Sequence, residues 1–257
     1  MVGHLHFDGL QTMRYARVAR AIFATGIIAV GIVGIVYADF AGIWQSLHTS
    51  VSIRNALAYA SAAIMLACGA GLMVKRTETL AARVLLCYLT LLALLFRLPA
   101  VLKTPRVEGT WQSMSEMVAL LTGAWVLSTS STRAARVAQL VFGLALIPFG
   151  LAHFIYLDMT APLIPAWIPA HTALAYFTGA AQIAAGVAIL LNVVPRLAAS
   201  LEATMLSAFT ILVWIPAILA KPTSQGAWSE LTLSWAISGA AWVVAASIAE
   251  RKPAMDS

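Results

Sequence analysis

The chain has 257 residues, of which 61% are apolar and 10% charged, against about 25% charged in ordinary soluble domains. That balance argues against a water-soluble globular protein and for a membrane-embedded one. The net charge of +6 does not call for nucleic acid, because lysine and arginine in loops facing anionic lipid account for it.

In chain order, residues 1–13 form a short polar lead with His4, His6 and Asp8. It reads as solvated tail, although two histidines can bind a metal adventitiously. Arg14, Arg17 and Arg20 then precede an uncharged run that ends at Asp39. No small-residue cleavage site closes that run, so it reads as a retained first helix and not as a removable signal. Further runs lie between Arg54 and Lys75, Arg136 and Asp158, Glu202 and Lys221, and Glu230 and Glu250. These five runs enclose 18 to 21 uncharged residues each, and a spanning helix needs roughly 20. Three less clean spans cover about residues 80–101 with Arg97, 112–131 with Glu116 in the first turn, and 171–193 after a proline-rich approach. In hydrocarbon the backbone must satisfy its own polar groups, and runs this long without two-residue alternation mean helices. The expected fold is all-α: a polytopic membrane protein with eight transmembrane helices.

The chain also repeats. At an offset of 117, Tyr59 meets Tyr176, Gly69 meets Gly186, Pro99 meets Pro216, Pro105 meets Pro222, Trp111 meets Trp228 and Trp125 meets Trp242. Near the N-terminus the offset is 119, pairing Arg17 with Arg136, Gly31 with Gly150, Tyr37 with Tyr156 and Asp39 with Asp158. Such matches mean one unit used twice. The expected organisation is a lead at 1–13, a diverged four-helix repeat at 14–130, a second at 131–250 and a tail at 251–257. Four helices is an even number, so the repeats are expected to be parallel. With the N-terminus in the cytoplasm, 11 of the 16 basic residues fall on the inner side, which predicts that both termini are cytoplasmic.

The loops carry shared signals. Lys103, Pro105 and Trp111 correspond to Lys221, Pro222 and Trp228, a pattern that suits interface anchoring better than catalysis. Pro99 and Pro216 near the outer ends of the third helices predict a kink or early stop. Pro162, Pro165 and Pro169 forbid an ordinary helix before the sixth span, and Trp167 among them suits the headgroup level. The first repeat's matching loop has no proline but keeps Trp44 and His48. Ala180, Ala184 and Ala188, with Ala181 and Ala185, predict close packing of the sixth helix through small side chains. Cys68 and Cys87 read as buried apolar groups at similar depth, able to approach across a hairpin.

Ionisable groups inside a membrane are costly and are functional candidates by default. Arg97 and Glu116 lie near the outer ends of consecutive antiparallel helices, so an ion pair between them is geometrically reasonable. The alternatives are a structural pair, or an arginine reaching to lipid phosphate. His153 lies near the outer end of the fifth helix, before Asp158, where an imidazole suits proton exchange or a carbonyl-bearing headgroup. A histidine and an aspartate five apart share a helical face poorly, so no metal site is expected. His171 at the start of the sixth helix reads as a cap or interface residue. No flavin, haem or nucleotide motif is visible, nor any hydrolase or transferase signature.

Gly150-Leu-Ala-His153-Phe154, then Pro165-Ala-Trp167-Ile-Pro169, then Thr178-Gly179-Ala-Ala-Gln182-Ile-Ala-Ala-Gly186 resemble the DoxX-like family of small four-helix membrane proteins. The resemblance is close over roughly 40 residues and loose over 131–250. It implies a bacterial inner-membrane bundle, here doubled, and in some relatives a link to quinone reduction. Family members often carry a glutamate where this chain has Gln182 and where the first repeat has Met65. Three functions follow as alternatives. The leading one is a quinone-linked redox subunit acting near the outer leaflet, with His153, Asp158, Arg97 and Glu116 at its site. Arg97, His153 and Trp167 would then contact the quinone, and electrons would come from a membrane protein partner. The second is a non-catalytic assembly subunit among membrane lipids. The third, a small-solute transporter, ranks last because the midplane offers little beyond Gln182.

Overall fold

Helices account for all regular structure, and no strand occurs among the described residues. The computed structural model describes residues 2–39 and 51–249, and the side chains of 13–39 and 53–248. Expectations for the side chains of His4, His6 and Asp8, for Trp44 and His48, and for the tail at 251–257 lie outside these. Among the described residues eight long helices follow one another: α1 (Val2–Tyr37), α2 (Val51–Met73), α3 (Glu78–Lys103), α4 (Glu108–Ser128), α5 (Thr132–Ile155), α6 (His171–Leu190), α7 (Pro195–Ala220) and α8 (Gln225–Ala249). Seven of them are long and apolar enough to cross a membrane, so the protein is a helical, membrane-embedded one. The eighth, α4, is of similar length but carries Glu108, Gln112 and Glu116. The polar lead is not a separate segment, because α1 already begins at Val2.

The prolines do not end the third and seventh helices. Residues Ala93–Arg97 in α3 and Thr210–Trp214 in α7 form π-turns, each finishing two residues before its proline. Proline lacks an N–H and its ring crowds the carbonyl one turn earlier. Widening to a longer hydrogen-bond span relieves that crowding and lets the helix continue. The Leu98 N–H accordingly donates to the Ala93 carbonyl, and the helices run on to Lys103 and Ala220.

Consecutive helices run antiparallel. The turns after α2, α4 and α6 lie on the face that holds the chain ends (the terminal face). Those after α3, α5 and α7 lie on the opposite face (the loop face), where α1 ends and α2 begins. Each helix packs on the next, α1 closes on α8, and α4 meets α8 across the middle. The bundle is therefore a closed ring pinched at α4 and α8, with α1–α3 on one side and α5–α7 on the other.

Glycines set the closest approaches. A Cβ on Gly150 would lie 2.5 Å from the Gly179 carbonyl oxygen, and one on Gly186 would lie 2.5 Å from that of Gly143. The α5–α6 contact is thus backbone on backbone, through glycines two turns apart on each helix. The alanines expected to do this contribute only in part: Ala185 and Ala188 pack against the core, Ala180 and Ala184 are exposed, and α6 buries Ala175, Gly179, Gln182, Gly186 and Ile189. The expectation for the cysteines also fails in part, because Cys68 is buried while Cys87 is exposed. An exposed thiol on an apolar helix faces lipid, and lipid solvates it as well as a core does.

The first side of the ring is filled with hydrocarbon. Phe23, Met65, Leu72, Leu85, Leu89 and Leu92 are each no more than 2% exposed. The second side buries Phe142, Leu146 and Ile189 as fully, but it also holds a cavity.

Candidate functional site

The walls of a cavity of about 150 Å³ come from α4, α5, α6, α7 and α8. Its polar lining is Gln112 and Glu116 from α4, His153 from α5, Gln182 from α6, and Glu230 and Ser234 from α8, with Thr160 from the α5–α6 connection. Phe149, Phe209 and Trp214 supply aromatic wall. Glu230 is exposed, so the cavity is open to the exterior at that residue. Glu230 lies near the start of α8, which places the opening toward the loop face.

Local sequence explains how these side chains converge. The proline-rich connection folds as one turn of helix, Leu157–Thr160, and a 3₁₀ turn, Ala161–Leu163, as its prolines require. It is pinned at both ends. The Gly109 N–H at the start of α4 donates to the Tyr156 hydroxyl at 3.0 Å. The His171 Nε2 lies 3.2 Å from the Pro165 carbonyl oxygen, so the ring N–H donates there and ties the loop to α6. Thr160 is thereby held over the cavity. On α7 the π-turn begins at Thr210, whose hydroxyl lies 2.9 Å from that of Ser234, and ends at Trp214 on the cavity wall. Such turns re-aim the side chains around them.

The Thr178 hydroxyl is 2.9 Å from its own helix's Ala175 carbonyl oxygen and 3.3 Å from His153 Nδ1. Its proton goes to the carbonyl, so in a neutral ring Nδ1 carries the hydrogen and donates to Thr178. Nε2 then keeps its lone pair for an occupant of the cavity. The ring packs at a 37° tilt on Phe209, with centroids 6.0 Å apart, which places it against α7.

Of the residues singled out in the sequence, the structure brings His153 and Glu116 into one cavity. Arg97 closes the π-turn of α3, is 6% exposed, and interacts electrostatically with Glu116 from outside the cavity wall. Asp158 is exposed on the connecting turn, and Trp167 is 74% exposed on the proline-rich loop. Neither lines the cavity. Glu116 is not in the first turn of its helix: α4 begins at Glu108, which sets Glu116 about 12 Å along the helix at 1.5 Å per residue.

Glu202 and Glu230, which bound uncharged runs in the sequence, both lie inside helices. Pro195 at the first helical position starts α7 about two turns before Glu202, a signal that was present in the sequence. Glu202 is 1% exposed, and Gln182, 2% exposed, approaches it with Nε2 at 3.5 Å from Oε1. Gln182 Oε1 and Glu202 Oε2 are both buried with no hydrogen-bond partner among the described residues. Glu116 and Glu230 face the same cavity, so two carboxyl groups gather where α4 and α8 approach the loop face. No group of three histidine, cysteine, aspartate or glutamate side chains with metal-binding geometry occurs among the described residues.

The cavity can therefore accept hydrogen bonds at His153 and the carboxyl groups, donate from amide and hydroxyl groups, and flank a flat ring with aromatics. No protein-family profile, curated protein or solved structure matches this chain.

Proposed function

We propose that this chain is a DoxX-like, quinone-linked subunit of a bacterial inner membrane, and that its cavity binds a quinone headgroup. The observation that carries this reading is the joint placement of His153, Glu116 and Glu230 around one aromatic-walled cavity of about 150 Å³. A cavity of that volume accommodates one six-membered ring. Reducing a quinone to a quinol takes two electrons and two protons. Gln112, Thr160 and Ser234 can donate hydrogen bonds to quinone carbonyls, and His153 Nε2 can accept from a quinol hydroxyl. Protons would enter from water past Glu230, and a membrane-bound redox protein would supply the electrons. Arg97 belongs to this site as a charge behind Glu116, while Asp158 and Trp167 belong to the surface around its mouth.

The reading includes eight spans, with α4 as the eighth, arranged as two parallel copies of a four-helix unit. Support comes from equivalent details at the sequence offset of 117. The π-turns Ala93–Arg97 and Thr210–Trp214 are one such pair. The Trp111 indole donates to the Pro105 carbonyl at 2.9 Å, and Trp228 donates to Pro222 at 2.8 Å. In this view the copies exchange their first helices, α1 packing on α8 and α5 on α4. α4 falls short on composition through Glu108, Gln112 and Glu116, of which Gln112 and Glu116 face the cavity. Arg14, Arg17, Arg20, Lys75, Arg76, Arg133, Arg136 and Arg196 gather at the terminal face, which supports a cytoplasmic position for both termini. The cavity mouth would then face the outer leaflet.

The test is extraction of the protein from its own membrane in a mild detergent, with quinone assayed in the purified sample. We expect about one quinone per chain, and at least a tenfold loss in His153→Ala. A wild-type sample without quinone, or a His153→Ala sample that keeps it all, would overturn the reading.

A further inference from the structure

Below the cavity the polar residues do not stop. Gln182 lies about 17 Å along α6 from His171, and Glu202 lies about 10 Å along α7 from Pro195, at 1.5 Å per residue. Because the two helices start on opposite faces, these positions bring the side chains to one level, deeper than Glu116 and nearer the terminal face. Glu230, Glu116 with His153, Gln182 and Glu202 thus form a descending series from the mouth of the cavity.

The pair at the foot of this series is chemically unfinished. Gln182 Oε1 and Glu202 Oε2 are both acceptors, both buried, and neither receives a hydrogen bond. The contact between the side chains, 3.5 Å from Nε2 to Oε1, is at the outer limit for a hydrogen bond. With Glu202 ionised, the two acceptors cannot satisfy each other, and a buried acceptor left bare costs about 1–3 kcal/mol. A proton on the carboxyl turns one of its oxygens into a donor, so the pair holds a proton more readily than it goes without one. The polar group that faces Glu202 is the Gln182 amide from α6; from α8, the Trp242 indole donates to Ser207, and the Ser238 hydroxyl donates to the Trp235 carbonyl while accepting from Ser207. No lysine or arginine forms an ion pair with Glu202 among the described residues. A metal ion does not fit either, since two residues cannot fill its coordination sphere. What the two oxygens need is donated hydrogen, and Gln182 stands both on the cavity wall and against Glu202.

We infer that Gln182 and Glu202 form a proton-exchange site, reached by water from the cavity through the Gln182 amide, with Glu202 as the carboxyl that takes up and returns the proton. Water at the Gln182 end donates to Oε1 of the amide, and the carboxyl exchanges hydrogen with that water. The site makes the polar series a one-sided path that enters at the loop face and ends at Glu202. It does not depend on what molecule occupies the upper cavity, so it stands or falls separately from the quinone reading.

The test is infrared spectroscopy of the full chain in a lipid film during exchange from H₂O to D₂O. A carboxylic acid C=O band is expected in the wild type, absent in Glu202→Gln, that shifts on contact with D₂O. In Gln182→Leu the band remains but its shift slows at least tenfold, while Gln182→Glu, which keeps a polar group of the same length, exchanges as fast as the wild type. Absence of a Glu202-dependent band, or exchange indifferent to Gln182→Leu, overturns the inference. A second measurement needs no variant: an apolar carbodiimide added to membranes holding the wild-type chain should modify Glu202, located by peptide mass spectrometry. Modification of Glu116 with Glu202 left untouched would overturn it as well.

Discussion

His153 and Thr178 are joined across α5 and α6 by a 3.3 Å contact that determines which imidazole nitrogen meets the cavity. The threonine spends its proton on the Ala175 carbonyl, so it can only accept from the ring. A side chain outside the cavity lining thus orients one inside it, as supporting groups commonly do at functional histidines. Thr178→Val keeps the shape and removes the acceptor. The hydrogen bond is worth about 0.5–1.5 kcal/mol, so quinone retention should fall roughly twofold to tenfold, with the melting temperature little changed. Thr178→Ser should retain wild-type binding, and a serine variant as weak as the valine one would contradict the orienting role.

Backbone contact between α5 and α6 leaves no room for a methyl group. Gly186→Ala drives a carbon to within 2.5 Å of the Gly143 oxygen, and overpacking of this kind costs about 1–3 kcal/mol. Gly226→Ala is the control, since its added carbon meets only the Ser224 hydroxyl at 3.9 Å. Thermal unfolding in detergent should separate the two variants clearly, and equal stability would mean that the helices part without cost.

The paired tryptophans are structural. Trp111→Phe and Trp228→Phe each remove one indole hydrogen bond to a proline carbonyl, at about 0.5–1.5 kcal/mol. The two loops share no partner, so the double variant should lose the sum of the single losses to within about 0.5 kcal/mol. Ligand retention should stay at the wild-type level. A marked loss of ligand in either single variant would instead connect these loops to the cavity.

The two cysteines should differ in reactivity. An apolar thiol reagent delivered through the bilayer reaches Cys87, which is exposed, and not Cys68, which is 3% exposed. One label per chain is expected, and none in Cys87→Ser. Two labels, or persistence of the label in Cys87→Ser, would show that α2 opens readily from its neighbours.

The helical class and the approximate span positions were legible in the sequence because hydrocarbon imposes one condition on every residue in it: the backbone must bond to itself, and the side chains must be apolar. That condition is local, so uncharged runs such as Arg136 to Asp158 reveal it. The prolines were legible as perturbations, but their outcome was not. Whether Pro99 breaks, kinks or widens α3 depends on whether neighbouring helices hold the segments on either side.

The site divided along the same line. His153 and Glu116 were recognisable because a lone ionisable residue in an apolar run stands out. Glu202 and Glu230 were hidden because a charge beside an apolar run looks like its boundary, and only the helix starts at Pro195 and Gln225 put them inside. Depth singled out Arg97, Asp158 and Trp167 as well, but depth does not specify which side chains line a cavity: Arg97 stands behind Glu116, and Asp158 and Trp167 lie on the exposed connection between α5 and α6. Composition and run length, properties of each segment by itself, determined that this chain is helical and membrane-embedded. Which side chains share a cavity was decided by the tertiary structure, because helix rotation is set by close contacts such as Gly150 on Gly179, and those depend on residues far apart in the chain.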